Sequence, residues 1–427
     1  MSGYFYFSVA LLAVCVNVCA QSSDFDFKAE LKLNYRDSDD VEFPTQFPFG
    51  PDGGPNGEPN RTIGSVDPGS HFEVSNISFF MNWQLSDDWK LLTKVDAIDL
   101  YDRNPTSSDN KVDLDRFILR YGNKHTQGNL PESADFYFQL GKFGKLERQE
   151  DRKLESYGLA ATAFNFLEDS GLEAGVDFSN GIYFKASYTT GNPLFLRDPN
   201  ALAGDNGAGS DTELNNGIVI FYDAEVEDFN LSDHPETGLA AGYRWLSENG
   251  SNRFNLMFYS YERELALRET LNGSDWGADL AALTSPNGES LPFEAGNIDK
   301  TESGLNIWWY SEFTSLFVQK VKQEYAGLKR EGSEAEFALV IPGISAIGIK
   351  RFVPAVRYSD LDIQHGGNAL FRSPAVFWDW EKTDFGVNVE FSENIKLVFE
   401  HSKTEFERAG TIENNDESRI TFIWRYD

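Results

Sequence analysis

Segments of about nine to twelve residues in which apolar and polar side chains alternate recur from one end of this chain to the other, and this constrains its fold more than any other feature. Ile77, Phe79, Met81, Trp83 and Leu85 share one parity, opposite Ser78, Asn82 and Gln84. Phe136, Phe138 and Leu140 oppose Tyr137, Gln139 and Gly141, and Ile182, Phe184, Ala186 and Tyr188 oppose Tyr183, Lys185, Ser187 and Thr189. Leu239, Ala241, Tyr243 and Trp245 oppose Gly242 and Arg244. In VEFSENIKLVFEHS, Val389 and Phe391 precede a polar triplet, after which Ile395, Leu397 and Phe399 resume the pattern. A period of two is that of a strand, because successive side chains leave opposite faces, so this stretch predicts a hairpin. Its other face carries Glu390, Lys396, Val398 and Glu400, a surface suited to water rather than to a two-sheet core.

Each segment is long enough to cross a bilayer as a tilted strand. No stretch has the 18 or more apolar residues of a membrane helix; Phe337–Ile349, FALVIPGISAIGI, is interrupted by Pro342 and Gly343 and reads as two strands meeting at a turn. The 35 Phe, 17 Tyr and nine Trp need a destination, and a membrane barrel displays such rings at its two interfaces. Trp89, Trp245, Trp308, Trp309, Trp378, Trp380 and Trp424 lie near strand ends, as a girdle requires. Trp378 and Trp380 also admit a reading as a sugar-stacking platform.

The first twenty residues, MSGYFYFSVALLAVCVNVCA, hold an apolar run from Val9 to Val16 and end in Val18-Cys19-Ala20, the pattern of a secretory signal peptide, although the leading segment lacks Lys or Arg. Residues 21–427 then form one domain. Both cysteines, Cys15 and Cys19, fall in the leader, which leaves the mature chain without thiols for disulfides, metal sites or nucleophiles. The net charge of −31 argues against nucleic acid as a partner. Loop acids such as Asp37, Asp39, Asp40, Asp109, Asp113, Asp205 and Asp211 read as solvated surface, with divalent cations bridging lipopolysaccharide as the alternative.

Connections fall into two classes. LSDDWKL (Leu85–Leu91) and FSENIKL (Phe391–Leu397) are short, whereas Asp37–Ser70, Tyr101–Asp113, Gly191–Asn216, Arg268–Ser303 and Asp360–Trp378 are long and rich in Gly, Pro, Asp and Asn. Short periplasmic turns and long extracellular loops characterise an outer-membrane barrel. The last segment, RITFIWRYD, puts Ile420, Phe422, Trp424 and Tyr426 on one face and Thr421, Ile423 and Arg425 on the other, which resembles the terminal strand of such proteins except that Asp427 follows the last aromatic. In hydrocarbon every backbone N–H and C=O needs a partner, and a sheet achieves this only by closing on itself. At about 25 residues per strand and connection, the mature chain makes an all-β transmembrane antiparallel barrel of about 16 strands, wide enough for a water-filled channel.

Several stretches resemble the phosphate-selective porin O and P family. The longest is Gly141–Pro193, where a strand ending in Gly-Lys-Phe leads to a charged segment, a Glu-aromatic pair (Glu155 to Tyr157), a Gly-rich strand and a strand closing on Gly191-Asn192. Val353–Ile363 and Gly386–Ser402 are similar to the late strands of that family. The resemblance implies a bacterial outer-membrane homotrimer with loops folded into each lumen and basic side chains drawing anions such as phosphate through it, without a cofactor.

Lys94, Asp96, Arg116, Arg120, Lys185, Arg244, Arg357 and Glu390 share the polar parity and are the candidate pore-lining residues. Arg and Lys are suited to phosphate, so one reading is a selectivity ladder. The other is a set of wall charges neutralising one another across strands. Lys142, Lys145, Arg148, Arg152 and Lys153 cluster within twelve residues and form either an inward loop that narrows the pore or a charged turn on the solvent side. The chain lacks HExxH and GxSxG patterns, and its five histidines are scattered, with His401 on an outward strand position. The sequence therefore points to passive diffusion of small hydrophilic solutes or ions. An enzyme or adhesin on the same barrel, or a secreted all-β carbohydrate-binding protein, stands as the alternative.

Overall fold

The computed structural model describes residues 25–45, 61–64, 69–98, 112–126, 129–146, 151–164, 168–191, 194–196, 221–222, 235–264, 297, 299–325, 327–363, 378–408 and 410–426. The leader expected at residues 1–20 lies outside them, as do Asp109, Arg148, Asp205 and Asp211. Sixteen long strands form the wall: β1 (Phe25–Ser38), β2 (Gly69–Gln84), β3 (Trp89–Ile98), β4 (Asp113–Gly122), β5 (Ala134–Gly144), β6 (Glu168–Phe178), β7 (Ile182–Thr189), β8 (Glu236–Leu246), β9 (Arg253–Glu264), β10 (Asp299–Tyr310), β11 (Thr314–Tyr325), β12 (Leu328–Leu339), β13 (Arg351–Asp362), β14 (Asp379–Glu390), β15 (Ile395–Arg408) and β16 (Thr411–Tyr426). A single-turn helix, α1 (Leu159–Ala163), lies between β5 and β6.

Every strand pairs antiparallel with its neighbours in sequence, and β16 pairs with β1 from Ala29 opposite Tyr426 to Ser38 opposite Glu417. The sheet is therefore a closed ring with no free edge. One irregularity marks the first hairpin: Lys32 pairs with Asn76 and Leu33 with Val74, so Ser75 is an extra residue that shifts the parity of β2 along its length.

The alternation resolves into an outer apolar face and an inner polar one. Phe136, Phe184, Leu239, Phe258, Phe385, Phe399, Ile420 and Trp424 are exposed on the outside, while their strand neighbours Tyr137, Tyr183, Arg244, Asp384, Glu400 and Thr421 are buried inside. Trp89 and Tyr121 meet edge to face at 5.3 Å, and Trp245 stacks on Trp309 at 6.2 Å. With Trp83, Trp424 and Tyr426, these rings form a girdle near the short-turn end. Outward positions become polar towards the other end, through Lys320, Lys322, Glu381, Lys403 and Glu405.

The turns at 85–88, 179–181, 247–252, 311–313 and 391–394 share one end of the barrel with the longer connections from β4 to β5 and from β12 to β13. The opposite end carries all five long loops, but also the tight connections from β11 to β12 and from β15 to β16. Several strands run further than composition suggests: β1 reaches Ser38, β10 begins at Asp299 and β13 reaches Asp362, so the loops around them are shorter than read from sequence. Between β12 and β13, Ser345–Ile347 forms a 3-10 turn.

If the outer face meets hydrocarbon, Leu239→Arg, in the middle of the apolar band of β8, destabilises the barrel by about 2–4 kcal/mol in urea titrations from lipid vesicles. The same charge at Glu405, above the band, changes stability by a small fraction of that.

Candidate pore lumen and inward loop

The β5–β6 connection leaves the long-loop end and turns inward because its sequence needs an apolar seat. Leu146, Leu154, Leu159, Ala160, Ala163 and Phe164 are all buried. The wall opposite supplies the complement at inward positions that alternation alone would assign to water: Tyr259, Tyr261, Trp308, Phe317, Val321, Leu328 and Leu361 pack in one cluster with α1, and Ala338, Val353 and Ala355 hold Leu154. Burial of Leu154 and Leu159, both at 0% exposure, contributes roughly 1.5–3 kcal/mol each.

Carboxylates of the wall fix the loop's backbone. Glu336 accepts the Lys153 N–H at 2.7 Å, and the two oxygens of Glu400 accept the successive N–H groups of Glu155 and Ser156 at 2.8 and 3.0 Å. Lys382 donates to the Tyr157 carbonyl at 2.8 Å, Asn388 to the Lys153 carbonyl at 2.7 Å, and Arg330 to the Ala163 carbonyl at 3.2 Å. Arg357 joins Asp384 at 3.0 and 2.8 Å through Nε and Nη2 and also donates to Ser156 Oγ at 2.6 Å. At Gly158 a Cβ would overlap the Glu334 carboxylate, so a larger residue there would displace that side chain.

At the loop's lower end Glu155 lies between Lys32, at 2.9 Å, and Lys396, at 3.1 Å. Burial alone would raise its pKa, but the charges of Lys32, Lys396 and Arg152 outweigh it and hold the carboxyl well below the usual carboxylate range. The Arg152 guanidinium stacks on the Tyr157 ring at 3.6 Å, and Lys153 reaches Asp151 at 2.8 Å.

The eight candidate lumen residues all lie on the inward parity, but in two different settings. Arg357 (1% exposed) and Arg244 (4% exposed) are sealed into the wall, the latter paired with Asp177 and stacked on Tyr183 at 3.9 Å. Lys185 sits 5.5 Å from the same ring, and Glu390 pairs with Arg351 at 2.6 Å near the short-turn rim. The other group is reachable from water. Arg116 keeps 42% of its side chain exposed beside Asp115, Lys94 bridges Asp96 at 2.7 Å and Asp115 at 3.0 Å, and Arg120 donates to Gln139 at 3.0 Å. Lys28 and Lys90 extend this accessible wall on β1 and β3.

Several positions differ from the sequence expectation. Lys142 belongs to β5 rather than to a loop, and its register opposite Phe117 places it on the outward face. Lys145 is buried against Glu236 at 2.6 Å, with its ammonium 4.4 Å from the Tyr261 ring, and Lys300 approaches the same carboxylate at 2.6 Å. Trp308, Trp378 and Trp380 are not girdle residues: all three face inward and are buried, with Trp378 stacked on Phe406 at 5.1 Å and Trp380 tilted against the same ring at 4.8 Å, closed to any sugar. His401 faces outward with Nδ1 3.0 Å from Ser418 Oγ. The loop's anchors Glu334, Glu336, Lys382 and Asp384 were not singled out by sequence; the apolar residues at 154 and 159–164 were the available sign that this segment needed a buried seat.

No protein-family model matches the chain, and no curated protein sequence matches it. Among solved structures the barrel is similar to Pseudomonas putida OprB in its high-pH form, at 8% identity, with 94% of each chain covered and a TM-score of 0.54. OmpT of Vibrio cholerae, folded in vitro, gives 11% identity over 95% of this chain and 99% of that one at a TM-score of 0.49. An anion-selective porin from Comamonas acidovorans gives 9% identity over 95% and 100% at 0.47. At such identity the OprB likeness shows the fold, the closed antiparallel barrel of outer-membrane porins, and leaves the solute open.

Because the Glu155 pKa is depressed on folding, its contribution to the loop's seat is complete above the ordinary glutamate value of 4.5 and is lost as pH falls through the depressed one. Single-channel current from the native protein is therefore steady at neutral pH and becomes noisy only in acid below that value, whereas Glu155→Gln is noisy at neutral pH and insensitive to acid. A quiet Glu155→Gln channel at neutral pH would show that this carboxylate does not hold the loop.

Proposed function

We propose that this chain is a bacterial outer-membrane porin through which small hydrophilic solutes or ions diffuse passively, with a preference for anions. The observation that carries the reading is an accessible, cation-rich stretch of inner wall (Lys28, Lys90, Lys94, Arg116, Arg120) that begins on β1, the strand whose Lys32 meets the inward loop at Glu155. Asp26, Glu30, Asp96, Asp115, Asp151 and Glu155 temper that field, with Lys32 and the loop's Arg152 and Lys153 keeping cations in excess. A ring of fixed cations lowers the barrier for phosphate or chloride entering from water, and selectivity is decided at this constriction rather than by total charge.

The net charge of −31 fits this division. Much of the acid lies on outward positions and at loop margins, such as Glu381, Glu405 and Glu407, where it faces solvent or the polar edge of the bilayer. Lys320, Lys322 and Lys403 in the same outward zone suit the phosphates of lipopolysaccharide. Export through a leader at residues 1–20 and assembly as a homotrimer complete the proposal; kinship with phosphate-selective porins rests on the sequence resemblance of Gly141–Pro193, Val353–Ile363 and Gly386–Ser402.

In a KCl gradient the reversal potential of the native channel takes the sign of chloride preference, and Arg116→Glu or Arg120→Glu moves it towards potassium. A clear potassium preference in the native protein would refute the anion assignment. Arg357→Ala behaves differently: it leaves Asp384 buried without its main counter-ion and costs about 3–5 kcal/mol of stability by urea titration, with the reversal potential of the surviving channels unchanged.

A further inference from the structure

Beyond the girdle, the short-turn end carries a second apolar surface that barrel closure does not require. Leu339 and Ile341 continue the outward parity of β12, and Ile341 pairs with Phe352 at the foot of β13. Below them the 340–350 connection displays Ile344 and Ile347, at 53% and 63% exposure, and Phe313 of the neighbouring turn is exposed beside it. The Val340 N–H donates to the Phe313 carbonyl at 2.7 Å, so the two turns form one unit.

This surface is held rather than frayed. The Gly343 N–H donates to the Lys350 carbonyl at 2.9 Å, the N–H groups of Ile347 and Ile349 donate to the Ile344 carbonyl at 3.1 and 3.3 Å, and the Lys350 N–H donates to the Glu390 carbonyl at 2.7 Å. Gly348 supplies the positive φ of +74° that closes the turn. Pairing of these N–H groups lowers the cost of bringing the turn against an apolar medium. Lys350, paired with Glu393, flanks it on the outward parity, whereas Arg351 turns inward to Glu390.

We propose that the 340–350 connection, together with Phe313, inserts into the periplasmic leaflet as a membrane anchor. Its occupant is lipid because the patch is continuous with the outward apolar rows of β12 and β13. A binding protein would have a few isolated isoleucines to grip, far short of the roughly 800 Å² per partner that stable association needs. The inference rests on the barrel spanning a membrane and adds to it a depth and a tilt: this side of the ring is drawn further into the bilayer than strand ends alone would place it.

A chain beginning at residue 21 has no cysteine, so single-site probes are clean. An environment-sensitive fluorophore is attached at Ile347→Cys, Leu239→Cys and Glu393→Cys in three separate preparations and read in nanodiscs, where both faces meet bulk water. The anchor predicts that the Ile347 probe is quenched at least twofold more by nitroxide lipids than the Glu393 probe, and twofold less by iodide. Equal iodide quenching at Ile347 and Glu393 overturns it, as does an Ile347 probe shielded from both quenchers, which would mean a protein covers the turn. The Leu239 probe separates the two levels: quenched by nitroxide lipid, it preserves the membrane reading when the anchor fails; unquenched, it removes both.

Discussion

Closure of the backbone hydrogen-bond ladder between β1 and β16 is the constraint on which the rest of this structure depends. Hydrocarbon offers no partner to an edge strand, and each unsatisfied peptide group there costs several kcal/mol. The run of consecutive residue pairs from Ala29 with Tyr426 to Ser38 with Glu417 removes both edges at once. The Ser75 bulge lets β2 meet β1 on one side while the inner and outer faces remain sorted. Inside the seam, Arg36 joins Glu73 at 3.2 Å and Glu417 at 3.3 Å, so side chains of the first, second and last strands cross it as well.

A closed ring creates an interior, and the chain treats its two halves differently. On the β9–β15 side the wall is aromatic and carboxylate-rich and is covered by the inward loop; on the β1–β4 side it is basic and wet. The division explains why strongly basic residues with the right parity differ so much in setting. Arg357 and Arg116 both point inward, yet one is an internal counter-ion that holds Ser156 and Asp384 in place, and the other keeps much of its side chain open to water. Buried ion pairs of the first kind are weak contributors to net stability but specify geometry, because removing one partner leaves the other charged and dry. Here they specify where the loop lies within the barrel.

Much of the fold was legible because the period-two pattern reports directly which side chains share a face. The hairpin around Phe391–Asn394, the terminal strand through Trp424 and the inward parity of all eight candidate lumen residues follow from it. Alternation does not report what lies across the lumen. Trp308, Trp378 and Trp380 looked like girdle residues because aromatics near strand ends usually face lipid, but a loop folded inside gave the inner face an apolar partner. Lys142 looked like part of a charged loop because the strand continues through Gly141, whose φ of +127° no sequence pattern announces. The tight connections from β11 to β12 and from β15 to β16 were hidden by polar strand ends rising above the membrane, where alternation loses its contrast.

The most direct test of the account is the current through a planar bilayer after insertion of the purified, folded protein. An open basic wall facing a seated loop predicts stepwise, ion-conducting openings of uniform size. A protein that inserts as a heat-modifiable barrel and yet passes no current would contradict it, since the interior would then be sealed and the loop a plug rather than a constriction.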